Sequence, residues 1–125
     1  MNFEAGQQWT YTAPPDIAES RIVIGAILEF GDGKIIACCA VSGALQSGAD
    51  GTSERVDIPF LPMSRDALTK TVIQLDGTGA LPDDFAIELE NWRNDPRGAS
   101  YFTVPFEGSL ERMIALQMAA LIDKD

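Results

Sequence analysis

Carboxylates are the reactive side chains that this chain carries in excess, with 19 Asp and Glu against 9 Lys and Arg. Paired carboxylates can act as general acid and base, as they do in glycosidases. Glu88 and Glu90 are two positions apart in a predicted helix and therefore face different directions. Glu29 and Asp57 are single positions in predicted strands, and neither has an identifiable partner. We therefore expect the carboxylates to be solvated surface charges, not a catalytic pair.

The absence of histidine removes several common chemistries, because the chain has 0 His. Ser-His and Cys-His nucleophilic sites and histidine metal sites are excluded. Cys38 and Cys39 are adjacent in a predicted strand, so their side chains point to opposite faces and cannot both turn to one metal ion. We expect two buried free thiols in a reducing compartment, with a redox-active vicinal pair as the alternative. The sequence predicts no catalytic residue, no metal and no cofactor.

Glycine-containing turns invite a phosphate- or metal-loop interpretation that their context does not support. The tetrapeptide 31–34 (Gly-Asp-Gly-Lys) lacks the spacing of a phosphate loop and precedes a strand, so we interpret it as a hairpin turn. Residues 76–79 follow a predicted helix and suit a helix stop better than a dinucleotide loop. Residues 50–54 do not match the calcium-loop pattern, and we expect a solvated loop there.

Two groups of residues are candidates for binding. Trp9 and Tyr11 share one face of the first predicted strand, and amphipathic aromatics suit recognition surfaces, although core packing is the alternative. The second group is the acidic second predicted helix, which would mimic the charge of a nucleic acid or dock on a basic partner, although an ordinary solvated helix face is the alternative. Its acidic residues are Asp83, Asp84, Glu88, Glu90 and Asp95. The candidate binding residues are Trp9, Tyr11, Arg21, Asp83, Asp84 and Glu88.

A long β-hairpin over residues 20–42 is the element around which the chain is organised. Two apolar, β-branched runs flank the Gly-Asp-Gly turn. In its first strand we expect Ile22, Ile24, Ala26, Leu28 and Phe30 on one face and Val23, Gly25 and Ile27 on the other. Because both faces are apolar, we expect the sheet to be covered on both sides or strongly curled. Gly25 indicates a bend, a bulge or the close approach of another element.

The remaining periodicity predicts a single α+β domain over residues 1–125. Period-two patterns predict strands at 7–12, 54–60 and 101–105, with Val56, Ile58 and Phe60 facing in, and composition predicts a loop at 43–53. Helical spacing predicts helices from Ser64 to about residue 76, from Pro82 to Asn94 with Phe85, Leu89 and Trp92 facing in, and from Ser109 onward. The fold class is a curled antiparallel sheet, or partial barrel, of about four to five strands packed by about three helices.

Several motifs occur in an order that is also found elsewhere. They are Trp9-x-Tyr11, Ser20-Arg21-Ile22, Pro62-x-Ser64-x-x-Ala67-Leu68, Leu81-Pro82-x-x-Phe85, Trp92-Arg93 and Phe102-Thr103-Val104-Pro105. In these motifs the chain resembles a group of small uncharacterised bacterial proteins with a Trp-x-Tyr strand, a Pro-x-Ser-x-x-Ala-Leu helix, a Phe-Thr-x-Pro strand and a closing helix. The resemblance covers most of the chain and implies a bacterial, single-domain protein. The group has no assigned activity, so the resemblance implies none.

The net charge of -10 restricts the partners of this chain. It repels nucleic acids and anionic membranes and suits a basic protein partner. No apolar run approaches the ~20 residues of a membrane span, and no signal peptide is visible, so we expect a cytoplasmic protein.

A non-enzymatic protein-binding module, of inhibitor or immunity type, is the function that these features favour. The alternative is a small-molecule-binding domain that uses a cavity of the curled sheet, with Trp9, Tyr11 and Arg21 near its mouth. A histidine-independent enzyme is the third hypothesis. We also consider a homodimer through the apolar C-terminal helix.

Overall fold

The computed structural model describes residues 2–30, 33–47, 51–96 and 100–122. Its centre is a 5-stranded antiparallel sheet with the strand order β4-β3-β2-β1-β5. The strands are β1 (Gln7–Tyr11), β2 (Arg21–Glu29), β3 (Ile35–Ser47), β4 (Ser53–Ser64) and β5 (Val72–Thr78), and the helices are α1 (Arg65–Thr71), α2 (Phe85–Arg93) and α3 (Leu110–Ile122). The α+β class and the curled, unclosed sheet are confirmed. No helix within the described ranges is long and apolar enough to span a membrane.

The predicted hairpin is confirmed as β2 and β3, which pair antiparallel. The Phe30 amide donates to the Lys34 carbonyl at 2.8 Å, and Gly33 adopts a φ of 84°. Only glycine adopts such a φ readily, which explains the Gly-rich turn. The two residues before Gly33 lie outside the described part of the chain.

After a bulge at Gly25, the even-numbered residues of β2 point to the opposite side of the sheet from those before it. Ile24 and Ala26 lie opposite the two adjacent cysteines of β3, so Gly25 is the extra residue. Ile24 therefore belongs to the hydrophobic cluster on one face, whereas Ala26 and Leu28 pack against the cluster on the other. The prediction that the even-numbered residues 22–30 share one face is wrong, because strict alternation ends at an inserted residue. The predicted bulge at Gly25 is confirmed.

The inner face of the sheet, as we call it, is covered by α1, α3 and the chain that leads to α3. Its buried residues include Trp9, Tyr11, Ile22, Ile24, Cys39, Val41, Leu61, Met63, Leu68, Phe106 and Met113. Thr71 joins two of the covering segments: its Oγ1 donates to the Ala67 carbonyl at 2.7 Å and accepts from the Phe106 amide at 3.0 Å. This buried hydroxyl holds the end of α1 against the chain before α3.

The outer face, as we call the opposite side, packs against α2. Its hydrophobic cluster has the buried residues Ile36, Cys38, Ala40 and Phe85, and those packed against them are Ala26, Leu28, Phe60, Leu89, Trp92 and Tyr101. Phe85, Leu89 and Trp92 form the inward stripe of α2, as predicted. Both faces of the sheet are therefore covered, as the doubly apolar hairpin predicts.

The helix that begins after Ser64 is shorter than its sequence pattern predicts. Ser64 is its N-cap, as predicted, with Oγ accepting from the Ala67 amide at 3.1 Å. The helix ends at Thr71, and residues 72–78 form β5 on the edge of β1. The prediction of continued helix to about residue 76 is wrong, because pairing with the open edge of β1 outweighs a weak helical preference in a β-branched segment.

β4 contains a second irregularity, at Pro59 and Phe60. The step from Ile58 to Leu61 in β4 lies opposite the shorter step 39–41 in β3. Phe60 consequently lies on the outer face while Ile58 stays on the inner face. The prediction that they share a face is wrong. Proline suits such a position on an edge strand because it has no N–H to donate to the ladder.

Two segments beside β4 also differ from their predictions. The predicted loop 43–53 is partly strand, since β3 continues through Gly43, with a φ of 68°, to residue 47. The predicted strand 101–105 is reduced to a single parallel bridge between Phe102 and Met63. This bridge still fixes the chain at residue 102 along the outer edge of β4.

α3 buries only part of its predicted apolar face. Ser109 caps the helix as predicted, and its Oγ accepts from a first-turn amide at 3.3 Å. Met113 is 1% exposed, but Ile114, Met118 and Leu121 are 44%, 59% and 59% exposed. An apolar stripe along α3 therefore faces solvent.

Candidate functional site

Trp9 and Tyr11 lie in the inner core and do not form a binding surface. They are 6% and 5% exposed. The Trp9 ring lies 5.5 Å from that of Phe3, and the Tyr11 ring lies 5.3 Å from that of Phe106. Their prediction as binding residues is therefore corrected in favour of core packing. They face the side of the sheet that α1 and α3 cover.

The Tyr11 hydroxyl has a structural partner in Ser20. The two oxygens lie 2.7 Å apart, and Ser20 Oγ donates to the Ser42 carbonyl at 2.5 Å. Burial raises the pKa of Tyr11, while the hydrogen bond to Ser20 and the charges of Arg55 and Arg21 oppose that rise. The hydroxyl therefore fastens β1 to the start of β2 and is not placed for acid–base chemistry.

Arg21 is engaged within the chain. Its Nε lies 2.8 Å from Asp76 Oδ2 in β5, and its Nη1 donates to the carbonyls of Ala18 and Ser20, both at 2.9 Å. Gln8 Nε2 also donates to Asp76 Oδ2, at 3.3 Å. The hydrogen bond from Arg21, followed by that from Gln8, holds the pKa of Asp76 below its ordinary value. Arg21 therefore holds β5 against the sheet, and its predicted place beside two pocket-lining aromatics is not observed.

A groove lies between α2, the edge of β4 and the chain at residues 100–102. Its volume is about 490 Å³, within the range of about 300–1,000 Å³ that is common for small-ligand clefts. Its lining combines aromatic and polar residues: Phe60, Pro62, Glu88, Asn91, Trp92, Asp95, Ser100, Tyr101, Phe102 and Gln117. The four aromatic residues are half-buried, so part of each ring is accessible from the groove.

One flank of α2 gives the groove an acidic wall. Glu88, Asn91 and Asp95 line it. Asp84 is four residues before Glu88, and residues spaced three or four apart lie on the same side of a helix. Asp83 is exposed and precedes the helix. The structure thus places Glu88 in the groove, whereas Asp83 and Asp84 lie at the start of α2 and do not line the groove.

The aromatic wall is a series of contacting rings. The Phe60 centroid lies 5.7 Å from both Trp92 and Phe85, and the Phe30 centroid lies 6.3 Å from Trp92. Trp92 Nε1 donates to the Ser100 carbonyl at 2.6 Å. This bond fixes the indole against the chain at residues 100–102, so the rings are held in place before any partner binds.

The chain at residues 100–103, which forms the third side of the groove, is hydrogen-bonded to α3 and has a cation nearby. Gln117 Oε1 accepts from the Thr103 amide at 2.8 Å and from its hydroxyl at 3.1 Å. Lys34 Nζ lies 5.8 Å from the centroid of the Tyr101 ring, which is within the distance of a cation–π contact. One ring of the groove therefore already interacts with a positive charge.

Sequence reasoning identifies Glu88 and misses the aromatic wall. It treats Phe60 and Trp92 as core residues, since both lie on apolar stripes. The bulge at Pro59 turns Phe60 to the outer face, and no alternation pattern predicts that turn. The available signal is the helical spacing of the acidic residues 84–95, which places one flank of carboxylates beside the Trp92 stripe.

The residues considered for catalysis are not brought together. Glu29 is exposed at the end of β2, and Asp57 Oδ1 accepts from the Gly43 amide at 2.9 Å.

Cys38 and Cys39 are free and buried on opposite faces, as predicted. Burial raises the pKa of Cys38 to about 12 and also raises that of Cys39. Within the part of the chain that the structure describes, no group of three or more His, Cys, Asp or Glu is placed to hold a metal ion.

A second cleft opens on the inner side of the hairpin. Its volume is about 330 Å³, and its lining is Asn2, Phe3, Glu4, Ile27, Ile35, Ala37 and Arg65. Apolar side chains predominate, with Glu4 and Arg65 as the charged members. Trp9, Tyr11 and Arg21 are not among these lining residues, so the cleft differs from the cavity that the sequence predicts.

Comparison of the chain with protein-family models, with curated proteins and with solved structures found no match in any of the three. Function must therefore be argued from the geometry and the charge of the molecule itself.

Proposed function

We propose that this protein is a non-enzymatic protein-binding module, of inhibitor or immunity type, which docks a basic partner on the acidic flank of α2. The groove carries this proposal, because the carboxylate of Glu88 and the half-buried aromatic residues Phe60 and Trp92 line the same groove. Partly exposed aromatic rings provide contact area, and the charges select the partner. The net charge of -10 adds long-range attraction to a basic protein.

The cysteines support both the non-enzymatic role and a cytoplasmic location. The pKa of Cys38 is about 12, so this thiol stays protonated and is a poor nucleophile. Free, buried thiols are typical of a reducing compartment. A bacterial origin is part of the same proposal and rests on the motifs shared with the group of small bacterial proteins.

Capture of partners from a native lysate tests the proposal. The variant Asp83→Asn/Asp84→Asn/Glu88→Gln neutralises the charges at the start of α2. Asp84 makes no side-chain cap hydrogen bond in the described structure, so the helix should form normally. We expect the wild-type protein to retain basic proteins that the variant does not retain. Salt of about 0.5 M should release them, because it screens exposed charges.

A matched control separates the α2 flank from net charge. Asp16→Asn/Glu29→Gln/Glu54→Gln removes the same charge from exposed positions that do not line the groove. This control should retain the partners that the α2 variant loses. Equal loss in both variants, or no loss in either, would contradict docking on α2.

Small-molecule binding is the second candidate function, and the cleft beside Phe3 is the observation that favours it. Its apolar lining, with Arg65 and Glu4 as the charged members, suits an amphipathic ligand whose carboxylate would pair with Arg65. A thermal-shift screen with medium-chain fatty acids tests this candidate. A rise in Tm that disappears in Arg65→Ala would support it, and the absence of any rise would count against it.

A homodimer through α3 is the partner arrangement that the exposed stripe suggests. Ile114, Met118 and Leu121 are spaced four and three residues apart and form one side of the helix. A groove of about 460 Å³ between α3 and the β3–β4 hairpin continues the stripe. A second copy would remove this apolar surface from water.

A further inference from the structure

We propose that the groove beside α2 binds the guanidinium group of an arginine side chain that the partner presents. This inference rests on the proposed function and adds the chemical group that is recognised. A guanidinium is planar, stacks on aromatic faces and pairs with carboxylates. The lining of the groove contains both aromatic rings and a carboxylate.

The rings form a platform that needs no rearrangement. Phe60 and Trp92 are in contact at 5.7 Å, and the indole of Trp92 is anchored to Ser100 by a 2.6 Å hydrogen bond. Because such a side chain is already held in one conformation, it loses little conformational entropy when a partner binds. The Lys34 ammonium at 5.8 Å from the Tyr101 centroid is an internal example of a cation near a ring of this groove.

The charges of the lining complement a cation. Glu88 stands on the α2 wall, and the lining residues that the structure describes include no Lys or Arg. Asp84 adds negative charge on the same flank by its helical spacing. A carboxylate can accept two parallel N–H bonds from a guanidinium, which gives the pair a defined orientation.

The open shape of the groove favours arginine over lysine. An ammonium is compact and strongly hydrated, so it gives up water reluctantly in a half-open site. A guanidinium is more weakly hydrated and keeps one flat face for the rings of Phe60 and Trp92 while its edge reaches Glu88. Asn91, also in the lining, offers a further acceptor oxygen.

An NMR titration with acetyl-Gly-Arg-Gly-amide tests the site, with the citrulline peptide as a neutral probe of the same shape. The readout is the indole Nε1–H resonance of Trp92, assigned with Trp92→Phe. We expect a saturable shift with the arginyl peptide, a Kd on the order of millimolar, and no saturable shift with the citrulline peptide. The corresponding lysyl peptide should bind about threefold more weakly.

Two variants and a control locate the site. Glu88→Gln and Phe60→Leu should each weaken binding of the arginyl peptide by about three- to tenfold. Glu90→Gln is the control, because Glu90 lies on another flank, where its Oε1 accepts from Asn94 Nδ2 at 2.9 Å. This control should leave the Kd unchanged. Equal weakening in Glu88→Gln and Glu90→Gln would overturn the assignment to the groove.

The outcomes separate this inference from the function on which it rests. If the arginyl peptide causes no saturable shift, or the citrulline peptide causes an equal one, guanidinium recognition is overturned, even where the α2 variant still loses its partners. If the arginyl peptide binds as expected but no protein depends on the α2 flank, the proposed function fails and the binding site stands.

Discussion

Gly25 leaves room for the ring of Phe85, which seats α2 on the outer face. A Cβ at this position would lie 2.2 Å from the Phe85 Cζ. Phe85 is 5% exposed, so its ring cannot turn away without moving the helix. The same glycine is the extra residue of the β2 bulge. One residue therefore both exchanges the faces of a strand and admits the helix that carries the acidic wall.

Gly25→Ala should lower the free energy of unfolding by about 1–3 kcal/mol, because the added methyl group overpacks the contact with Phe85. Phe85→Leu removes the far end of the ring and should make the same change at Gly25 less costly. Urea unfolding of the two single variants and the double variant measures this coupling. Strictly additive losses would show that the methyl group and the ring do not meet.

Burial of Cys38 should make the protein less stable at high pH. The pKa of this thiol is raised from 9.0 to about 12, so the folded state holds the proton that the unfolded state releases near its ordinary value. The stabilisation is complete below about pH 9 and is lost as the pH rises from there towards about 12. Burial of Tyr11 acts in the same direction above its ordinary pKa of 10.0.

Urea midpoints at about pH 8 and about pH 10 measure this effect. Cys38→Ala should show a smaller fall between the two pH values than the wild-type protein, whatever its stability at pH 8. An unchanged fall in the variant would exclude the thiol as a source of the pH dependence.

At the scale of elements, two bulges decide which side chains meet α2. The sequence predicts the β2–β3 hairpin correctly, because β-branched runs flank a turn that needs positive φ. The glycine within β2 indicates the shift at Gly25, but nothing in the sequence predicts the shift at Pro59 and Phe60, because a bulge changes the count of residues opposite each other without altering the apolar alternation. The acidic flank could be predicted from helical spacing. The aromatic wall could not, since Phe60 reaches it only through the bulge.

The segment after α1 shows a different limit of prediction. Leu68, Val72 and Leu75 recur at helical spacing and predict one apolar helix face. In the structure Leu68 is buried in α1, whereas Leu75 lies in the edge strand β5 and is 47% exposed. The open edge of β1 is a long-range partner that local periodicity does not reveal, and its backbone hydrogen bonds decide the outcome.

The Arg21–Asp76 pair should make the attachment of β5 to β1 depend on pH in the acidic range. The pKa of Asp76 is lowered in the folded state from 3.8 by the hydrogen bond from Arg21. Its stabilisation is therefore present above the ordinary aspartate pKa and is lost as the pH falls through the lowered value. Asp76→Asn should show faster amide exchange in β5 near neutral pH and a shallower acid dependence of stability than the wild-type protein.

Asp16→Asn, at an exposed position outside the sheet, is the matched control for this experiment. It should leave amide exchange in β5 and the acid dependence as they are in the wild-type protein. Parallel stability curves for Asp76→Asn and the wild-type protein would contradict a stabilising role for the pair.

At the scale of the whole molecule, the two proposed kinds of association should respond to salt in opposite directions. Two copies that each carry a charge of -10 repel one another, so a homodimer through α3 should become more stable as salt screens that repulsion. Binding of a basic partner should weaken under the same conditions. The salt dependence therefore distinguishes the two kinds of association without knowledge of the partner.

Size-exclusion chromatography with light scattering tests the homodimer. We expect the wild-type mass to rise towards that of a dimer as salt increases, and Met118→Lys to remain a monomer, because a charge on the stripe opposes its burial. Ala119→Lys adds the same charge to an exposed position beside the stripe and should still dimerise. A wild-type mass of 13.5 kDa at every salt and protein concentration would contradict the dimer.

Because the two neighbouring cysteines lie in separate hydrophobic layers, their reactivity can show which layer opens when the protein partly unfolds. Cys38 is covered from the side of α2 and Cys39 from the side of α1 and α3. Detachment of α2 alone would open Cys38 to an alkylating reagent while Cys39 stayed protected, and a fully cooperative opening would modify both at one rate. The order of modification within a single peptide, read by mass spectrometry, would show whether the layer that carries the groove opens before the rest of the protein.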